Sequence, residues 1–187
     1  MEYYGILINA HNIASKVHLN QTRADGVEPY INHCKRVASI IDSKFAHWSS
    51  ESVLSAAFLH DSLEDCEENE FVKIYQEIYE QCNPTIAAWV DMLSKPRDHK
   101  HYKNKRYLAR LAIAPKQVIV IKLADRLDNL QSIPTTDWDI KRILSYITDS
   151  VNIYKIACDS GCMSEARSLM TQIILTESYI NTLNLRK

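Results

Sequence analysis

The chain has 187 residues, enough for one domain with a full core, whereas two domains would be cramped. Its 46% hydrophobic and 24% charged residues match an ordinary soluble globular protein, and a formal net charge of −1 exerts no global pull toward nucleic acid or membrane. No apolar run approaches the roughly 20 residues that span a bilayer, and Met1-Glu2-Tyr3-Tyr4 lacks the basic start of a signal peptide.

Residues 3–19 read as a first helix, with Ile6, Ile13, Ala14 and Val17 on one face. A polar loop over 20–29 closes at Pro29. Helices are predicted over 30–43 and 50–63, with Ser49 or Ser50 capping the second. Two more, 70–81 and 85–94, are divided by Asn83-Pro84. A basic segment from Lys95 to Arg110 leads into a helix ending near Ala114, and Pro115 opens the next, 116–131. Helices 137–158 and 163–183 follow, separated by Asp159-Ser160-Gly161. Only three glycines occur, fewer than the turns of a β-rich chain need. Gln117-Val118-Ile119-Val120-Ile121-Lys122 suits a strand on propensity. It has no second strand-like run to pair with, so a helix apolar all round, and therefore buried, is expected.

The five cysteines, Cys34, Cys66, Cys82, Cys158 and Cys162, are odd in number and form no CxxC pair. They point to a reducing cytoplasm, with Cys158 and Cys162 as incidental thiols.

The chemistry concentrates in four residues. Tyr30-Ile31-Asn32-His33 places a histidine in the first turn of a helix, and His60-Asp61 ends the apolar helix Val53-Leu54-Ser55-Ala56-Ala57-Phe58-Leu59. Asp125 lies among Leu123, Ala124 and Leu127, where an ionised carboxylate needs compensation that a divalent cation provides. Two imidazoles and two carboxylates form a mixed nitrogen–oxygen set without thiolate, unlike a closed structural zinc site. Manganese, iron and zinc all fit, and oxygen-rich octahedral coordination tilts the choice toward manganese. Glu64 and Asp65 follow one helical turn later, one to orient or deprotonate a water and the other to relay a proton. The whole reads as a mononuclear site for phosphate-ester hydrolysis. Taken singly these residues are ordinary: a lone buried histidine is usually a hydrogen-bonded core group, and Glu64-Asp65-Cys66-Glu67-Glu68 alone is a solvated acidic turn. Their combination carries the reading.

The segments Gln21-Thr22-Arg23, Pro29-Tyr30-Ile31-Asn32-His33, Leu59-His60-Asp61-Ser62-Leu63-Glu64-Asp65 and Val120-Ile121-Lys122-Leu123-Ala124-Asp125-Arg126-Leu127-Asp128-Asn129-Leu130 resemble the HD superfamily of metal-dependent phosphohydrolases, and within it the alarmone-hydrolase branch. The resemblance implies an all-α fold, with residues 1–187 as a single HD-type helical bundle around a central metal site. It further implies one Mn²⁺ on His33, His60, Asp61 and Asp125, with Glu64 and Asp65 as catalytic acids. The implied reaction removes the 3′-pyrophosphate from guanosine tetra- and pentaphosphate. Members of the branch also act on related nucleotides, the metazoan type on NADPH, so another nucleotide such as NADPH or an adenosine polyphosphate is the alternative substrate. With no room for an attached synthetase domain, the chain reads as a stand-alone hydrolase. The loop 20–29 departs from the family pattern, with Gly26 standing three residues before Pro29, so base specificity is where the resemblance carries least.

Substrate contacts follow from the same comparison. Lys103, Asn104 and Arg106 in the basic segment are expected on phosphate, the rest of that segment being a solvated face. Arg23 and Lys16 are expected near the base or ribose. Asn129, four residues after Asp125 on one helix face, suits ribose or phosphate, and Lys122 suits phosphate. Tyr146 either lines the pocket or packs in the core; Trp89 and Trp138 are core, and His18 structural. No aromatic platform accompanies the basic stretch, so the expected partner is a small nucleotide rather than a nucleic acid. Leu169, Ile173, Ile174 and Ile180 on the last helix serve the core or a homo-oligomer interface. A degenerate, non-catalytic HD module is disfavoured because all four ligands and both acids are present.

Overall fold

Helix boundaries follow local chemistry. A computed structural model describes residues 3–96 and 103–184, with helices α1 (Tyr3–Val17), α2 (Ile31–Lys44), α3 (Glu51–Leu59), α4 (Ser62–Asp65), α5 (Phe71–Gln81), α6 (Pro84–Leu93), α7 (Lys103–Ala112), α8 (Lys116–Ser132), α9 (Ile140–Asp159) and α10 (Met163–Asn184). Three side chains cap them by accepting a backbone N–H of the first turn. Ser50 takes Val53 N at 3.4 Å, Asn83 takes Ile86 N at 2.8 Å, and Asp139 takes Arg142 N at 2.7 Å. Pro84 sits at the first helical position, where its missing N–H is not needed. The cap at Asp139 also starts α9 three residues later than 137.

The fold is all-α, as expected: the described residues contain no strand, only an isolated antiparallel bridge between Thr22 and Pro29. Arg23 N donates to Glu28 O at 2.8 Å and Tyr30 N to Gln21 O at 2.9 Å, folding the loop back on itself. Gly26, at φ 72°, supplies the left-handed turn this requires.

Two expectations were tested most sharply. The first concerns residues 50–63, expected as one helix; the helix breaks, α3 ending at Leu59 and α4 starting at Ser62. His60 Nδ1 donates to Ala57 O at 2.8 Å, the carbonyl that a continuing helix would offer to Asp61 N, and Asp61 moves to φ −102°, ψ −4°. Consecutive side chains on a straight helix diverge by about 100°; the break lets His60 and Asp61 converge. The second concerns the β-branched run 117–122, which lies inside α8. Every residue from Val118 to Asp128 is buried, and α8 packs against α2, α3, α6, α9 and α10. A β-branched helix is weak on propensity, and burial on all sides overrides it.

Leu169, Ile173 and Ile180 are core residues, whereas Ile174 is exposed. Trp89 and Trp138 pack half-buried against the core. All five cysteines are free thiols. No described helix is long and apolar enough to cross a membrane.

Candidate metal centre

Three elements deliver the centre: the first turn of α2 brings His33, the α3–α4 break brings His60 and Asp61, and the middle of α8 brings Asp125. One ligand atom from each lies within 4.8 Å of all the others. His33 Nε2 is 3.2 Å from Asp125 Oδ1 and 3.6 Å from Asp61 Oδ2. His60 Nε2 is 2.9 Å from Asp61 Oδ2 and 3.6 Å from Asp125 Oδ1. Ligands about 2.1 Å from one ion stand about 3.0 Å apart in neighbouring octahedral positions, so the set has the right spacing for a single cation.

The imidazole hydrogen bonds test that fit. His33 Nδ1 donates to Asp128 Oδ2 at 2.7 Å and His60 Nδ1 to Ala57 O at 2.8 Å. With both Nδ1–H groups engaged, both Nε2 lone pairs face inward, 3.2 Å apart, between two carboxylates. Two acceptors and two anions closed around one point suit a cation. The same field acts on protons. Burial opposes charge on His33, but Asp125, Asp128 and Asp61 outweigh it and raise its pKa to about 9. Burial likewise opposes charge on His60, and Asp61 and Asp125 carry it up to about 10. Burial penalises the Asp61 and Asp125 carboxylates as well. His60 and His33 hold Asp61 well below the ordinary range, and Lys122 with both histidines does so for Asp125.

The acid pair sits beside this set. Glu64 Oε2 accepts from Lys95 N at 3.0 Å and Oε1 from Lys95 Nζ at 3.2 Å. Asp65 keeps contact with solvent in a cleft of about 150 Å³ that it shares with Lys16 and Gln21. Crowding by the surrounding protein, then the charges of Asp61 and Glu64, raise its carboxyl to about 7.

The expected substrate residues divide into groups. Arg23, Lys122 and Asn129 converge on Asp125: Lys122 Nζ is 2.6 Å from Oδ2, Asn129 Nδ2 donates to Oδ1 at 2.5 Å, and Arg23 Nη2 donates to Asn129 Oδ1 at 2.6 Å. Lys122 is buried and serves Asp125 as counter-charge. Lys16, in the cleft it shares with Asp65, pairs with Glu77 at 3.1 Å. Asn104 shares a small cleft with Lys95, Tyr107 and Arg126. Arg106 is exposed on α7. Lys103 begins α7, but its side chain, like residues 97–102 of the basic segment, lies outside the described residues. Tyr146 packs under the Arg126 guanidinium, 4.1 Å from its ring centroid, and edge-on to Trp138 at 5.3 Å.

Four residues not singled out from the sequence join the centre. Tyr30 OH donates to Asp61 Oδ2 at 2.6 Å. Asp128 accepts from His33, and Arg36 donates its Nε to Asp128 Oδ1 at 2.6 Å. Arg126 is buried, and its Nε and Nη1 lack a hydrogen-bond partner among the described residues. The available signal was spacing: Tyr30 precedes His33 by three residues and Asp128 follows Asp125 by three, each one helical turn from a ligand.

A helical bundle closing two histidines and two aspartates on one point defines the class of HD metal-dependent hydrolases. A family profile described as "HD domain" matches residues 10–155, and the chain belongs to that family. Its similar proteins include a guanosine-3′,5′-bis(diphosphate) 3′-pyrophosphohydrolase of Haemophilus influenzae, 32% identical over 149 residues covering 76% of this chain and 20% of the relative. The bifunctional (p)ppGpp synthase/hydrolase SpoT of Escherichia coli is 31% identical over 155 residues, 79% of this chain and 20% of the relative. A probable chloroplastic GTP diphosphokinase, RSH2 of Oryza sativa, is 30% identical over 140 residues, 68% of this chain and 18% of the relative. The chain thus spans about a fifth of the length of these curated relatives. Among solved structures, one described as "A metazoan ortholog of SpoT hydrolyzes ppGpp and plays a role in starvation responses" shares the fold, with a TM-score of 0.74 at 23% identity over 91% of this chain and 92% of that one.

Proposed function

We propose that the chain, as one HD-type domain, is a Mn²⁺-dependent 3′-pyrophosphohydrolase of guanosine 3′,5′-polyphosphates, converting ppGpp to GDP and pppGpp to GTP with release of pyrophosphate. The observation that carries the proposal is the convergence of His33, His60, Asp61 and Asp125 within 4.8 Å, with Glu64 and Asp65 one turn beyond. The family profile matched over residues 10–155 contains all six residues, and relatives named for this reaction match over 76% and 79% of the chain. Free thiols throughout suit a reducing cytoplasm.

His33, His60, Asp61 and Asp125 are the residues to hold the ion, and their nitrogen–oxygen donor set without thiolate favours manganese. When bound, a divalent ion supplies positive charge that polarises the phosphate ester and eases deprotonation of water. Asp65, in the solvent cleft, is the acceptor for the water proton, and Glu64, fixed by Lys95, orients it. The water oxygen joins the phosphorus that carries the ribose 3′ oxygen, the bond between them breaks, and the 3′ oxygen takes up a proton. Lys16, Arg23, Asn129, Asn104, Arg106, Lys103 and Tyr146 are assigned to the nucleotide. Lys122 acts on it through Asp125.

The test is chromatographic analysis of ppGpp and NADPH after incubation with Mn²⁺-loaded protein. Pyrophosphate and GDP are expected from ppGpp. Orthophosphate from NADPH with ppGpp left intact moves the substrate to another nucleotide, and no release from either by metal-bound protein overturns the catalytic reading.

A further inference from the structure

Asp128 is buried, and it contributes no atom to the four-ligand set. It nonetheless holds the back of one ligand. Its Oδ2 accepts the His33 Nδ1–H at 2.7 Å, and Arg36 grips both oxygens, Nε on Oδ1 at 2.6 Å and Nη2 on Oδ2 at 3.2 Å. Arg36 is itself held from the far side. Its Nη1 bonds Glu28 Oε1, and its Nη2 bonds Glu28 Oε2 at 3.1 Å. Glu28 belongs to the loop between α1 and α2, whose backbone is closed on itself by the Arg23 N to Glu28 O bond.

A second path leaves the same loop. Arg23 Nη2 donates to Asn129 Oδ1 at 2.6 Å, and Asn129 Nδ2 donates to Asp125 Oδ1 at 2.5 Å, the oxygen that faces the two imidazoles. One short loop is therefore joined to two of the four ligands by two chains of charge-assisted hydrogen bonds. One runs Glu28–Arg36–Asp128–His33, the other Arg23–Asn129–Asp125. Bonds of this type are short, directional and about twice as strong as neutral ones. Outer partners of a ligating histidine fix its tautomer and ring plane, and their loss weakens metal affinity by about ten- to a hundred-fold.

We propose that Asp128 and Arg36 are positioning residues of the metal centre, and that through Glu28 they key His33 to the loop 20–29. The inference rests on the reading of His33, His60, Asp61 and Asp125 as metal ligands. Linkage makes the coupling reciprocal: an ion that fixes His33 also orders the loop, and a loop held in place tightens the ion. Sequence position alone does not show it, since Arg36 and Asp128 lie 92 residues apart.

The experiment is Mn²⁺ titration of the full chain, read as free aquo-Mn²⁺ by electron paramagnetic resonance, for the parent, Asp128→Asn, Glu28→Gln and the double variant. Asp128→Asn is expected to weaken Mn²⁺ binding by about ten- to a hundred-fold, and Glu28→Gln by a smaller factor. The double variant is expected to lose no more than Asp128→Asn alone, because both act along one chain. Amide exchange supplies a readout that lost packing would not reproduce: adding Mn²⁺ slows exchange at the Arg23 and Gly26 amides in the parent and slows it less in Asp128→Asn, where only the Arg23–Asn129–Asp125 path still joins the loop to a ligand. Should Asp128→Asn fail to fold, Glu28→Gln, whose site is partly exposed, and the exchange of the parent decide the matter. Parent-like affinity in both single variants, or loop amides indifferent to Mn²⁺ in a parent that binds it, overturns the positioning role alone. A parent that binds no divalent ion overturns the ligand reading, and this inference with it.

Discussion

His33 Nε2 and His60 Nε2 face each other across 3.2 Å while their Nδ1 atoms are committed to Asp128 and to Ala57 O. Neutral imidazoles in those tautomers have no hydrogen bond to offer each other. A cation between them, with Asp61 and Asp125 alongside, satisfies all four ligand atoms at once; without it, the two carboxylates draw protons onto the imidazoles instead.

Asp61 Oδ2 lies 2.9 Å from His60 Nε2. Asp61→Ala is expected to abolish specific Mn²⁺ binding and, with it, nucleotide hydrolysis. The Tyr30 hydroxyl loses a charged acceptor, a loss of about 1.5–3 kcal/mol. Calorimetric titration checks this, and parent-like affinity removes Asp61 from the ligand set.

Metal removal is expected to destabilise the fold as well as silence it. An ion that binds only the folded state adds about 2.7 kcal/mol at a hundred times its dissociation constant. Thermal melts with Mn²⁺, with chelator, and with Mn²⁺ restored should show a reversible shift; coincident curves exclude a bound ion.

Lys122 Nζ sits 2.6 Å from Asp125 Oδ2, and both groups are buried. Lys122→Met leaves that carboxylate without its lysine partner, a destabilisation of about 3–5 kcal/mol in metal-free protein. Mn²⁺ supplies substitute charge, so the deficit should shrink when the ion is present. Urea unfolding of parent and variant, each with and without Mn²⁺, measures both terms.

His18 gives a pH dependence of known sign. Burial is the main cause, and it holds the His18 imidazole below its ordinary value against the opposing Gln21 hydrogen bond. The unfolded chain then binds this proton more readily than the folded one. The stability contributed is full above pH about 6.5 and declines as pH falls from there. His18→Phe retains the stack on Tyr30, whose ring lies 4.7 Å from that of His18, but cannot titrate. Its melting temperature should fall less steeply than the parent's between pH about 7 and about 5. Equal slopes acquit His18.

Asn83 caps α6 far from the ligands in sequence, accepting Ile86 N at 2.8 Å. Asn83→Ala is expected to lower stability by about 1 kcal/mol and to leave Mn²⁺ affinity untouched. Denaturant melts together with the same metal titration separate the two effects.

Most helix extents were legible because capping and periodicity are local, as at Ser50 and at the Asn83-Pro84 division, whereas the Asp139 cap that starts α9 at Ile140 was not read. The chemical types of the four ligands were legible too, because His33, His60, Asp61 and Asp125 lie in apolar or turn contexts where their charge needs a reason. The break at His60-Asp61 was not legible, since the competition for Ala57 O depends on where the imidazole is pulled. Partnerships across the chain were decided only by tertiary structure. Lys16 lies in the Asp65 cleft and pairs with Glu77; Lys122 pairs with Asp125; Asp128 ties His33 to Arg36 and the loop beyond. The reason is physical. A sequence determines which face of a helix is apolar and where the helix stops, but which charges meet depends on how α2 and α8 dock, and that angle is set by the packing of both whole surfaces.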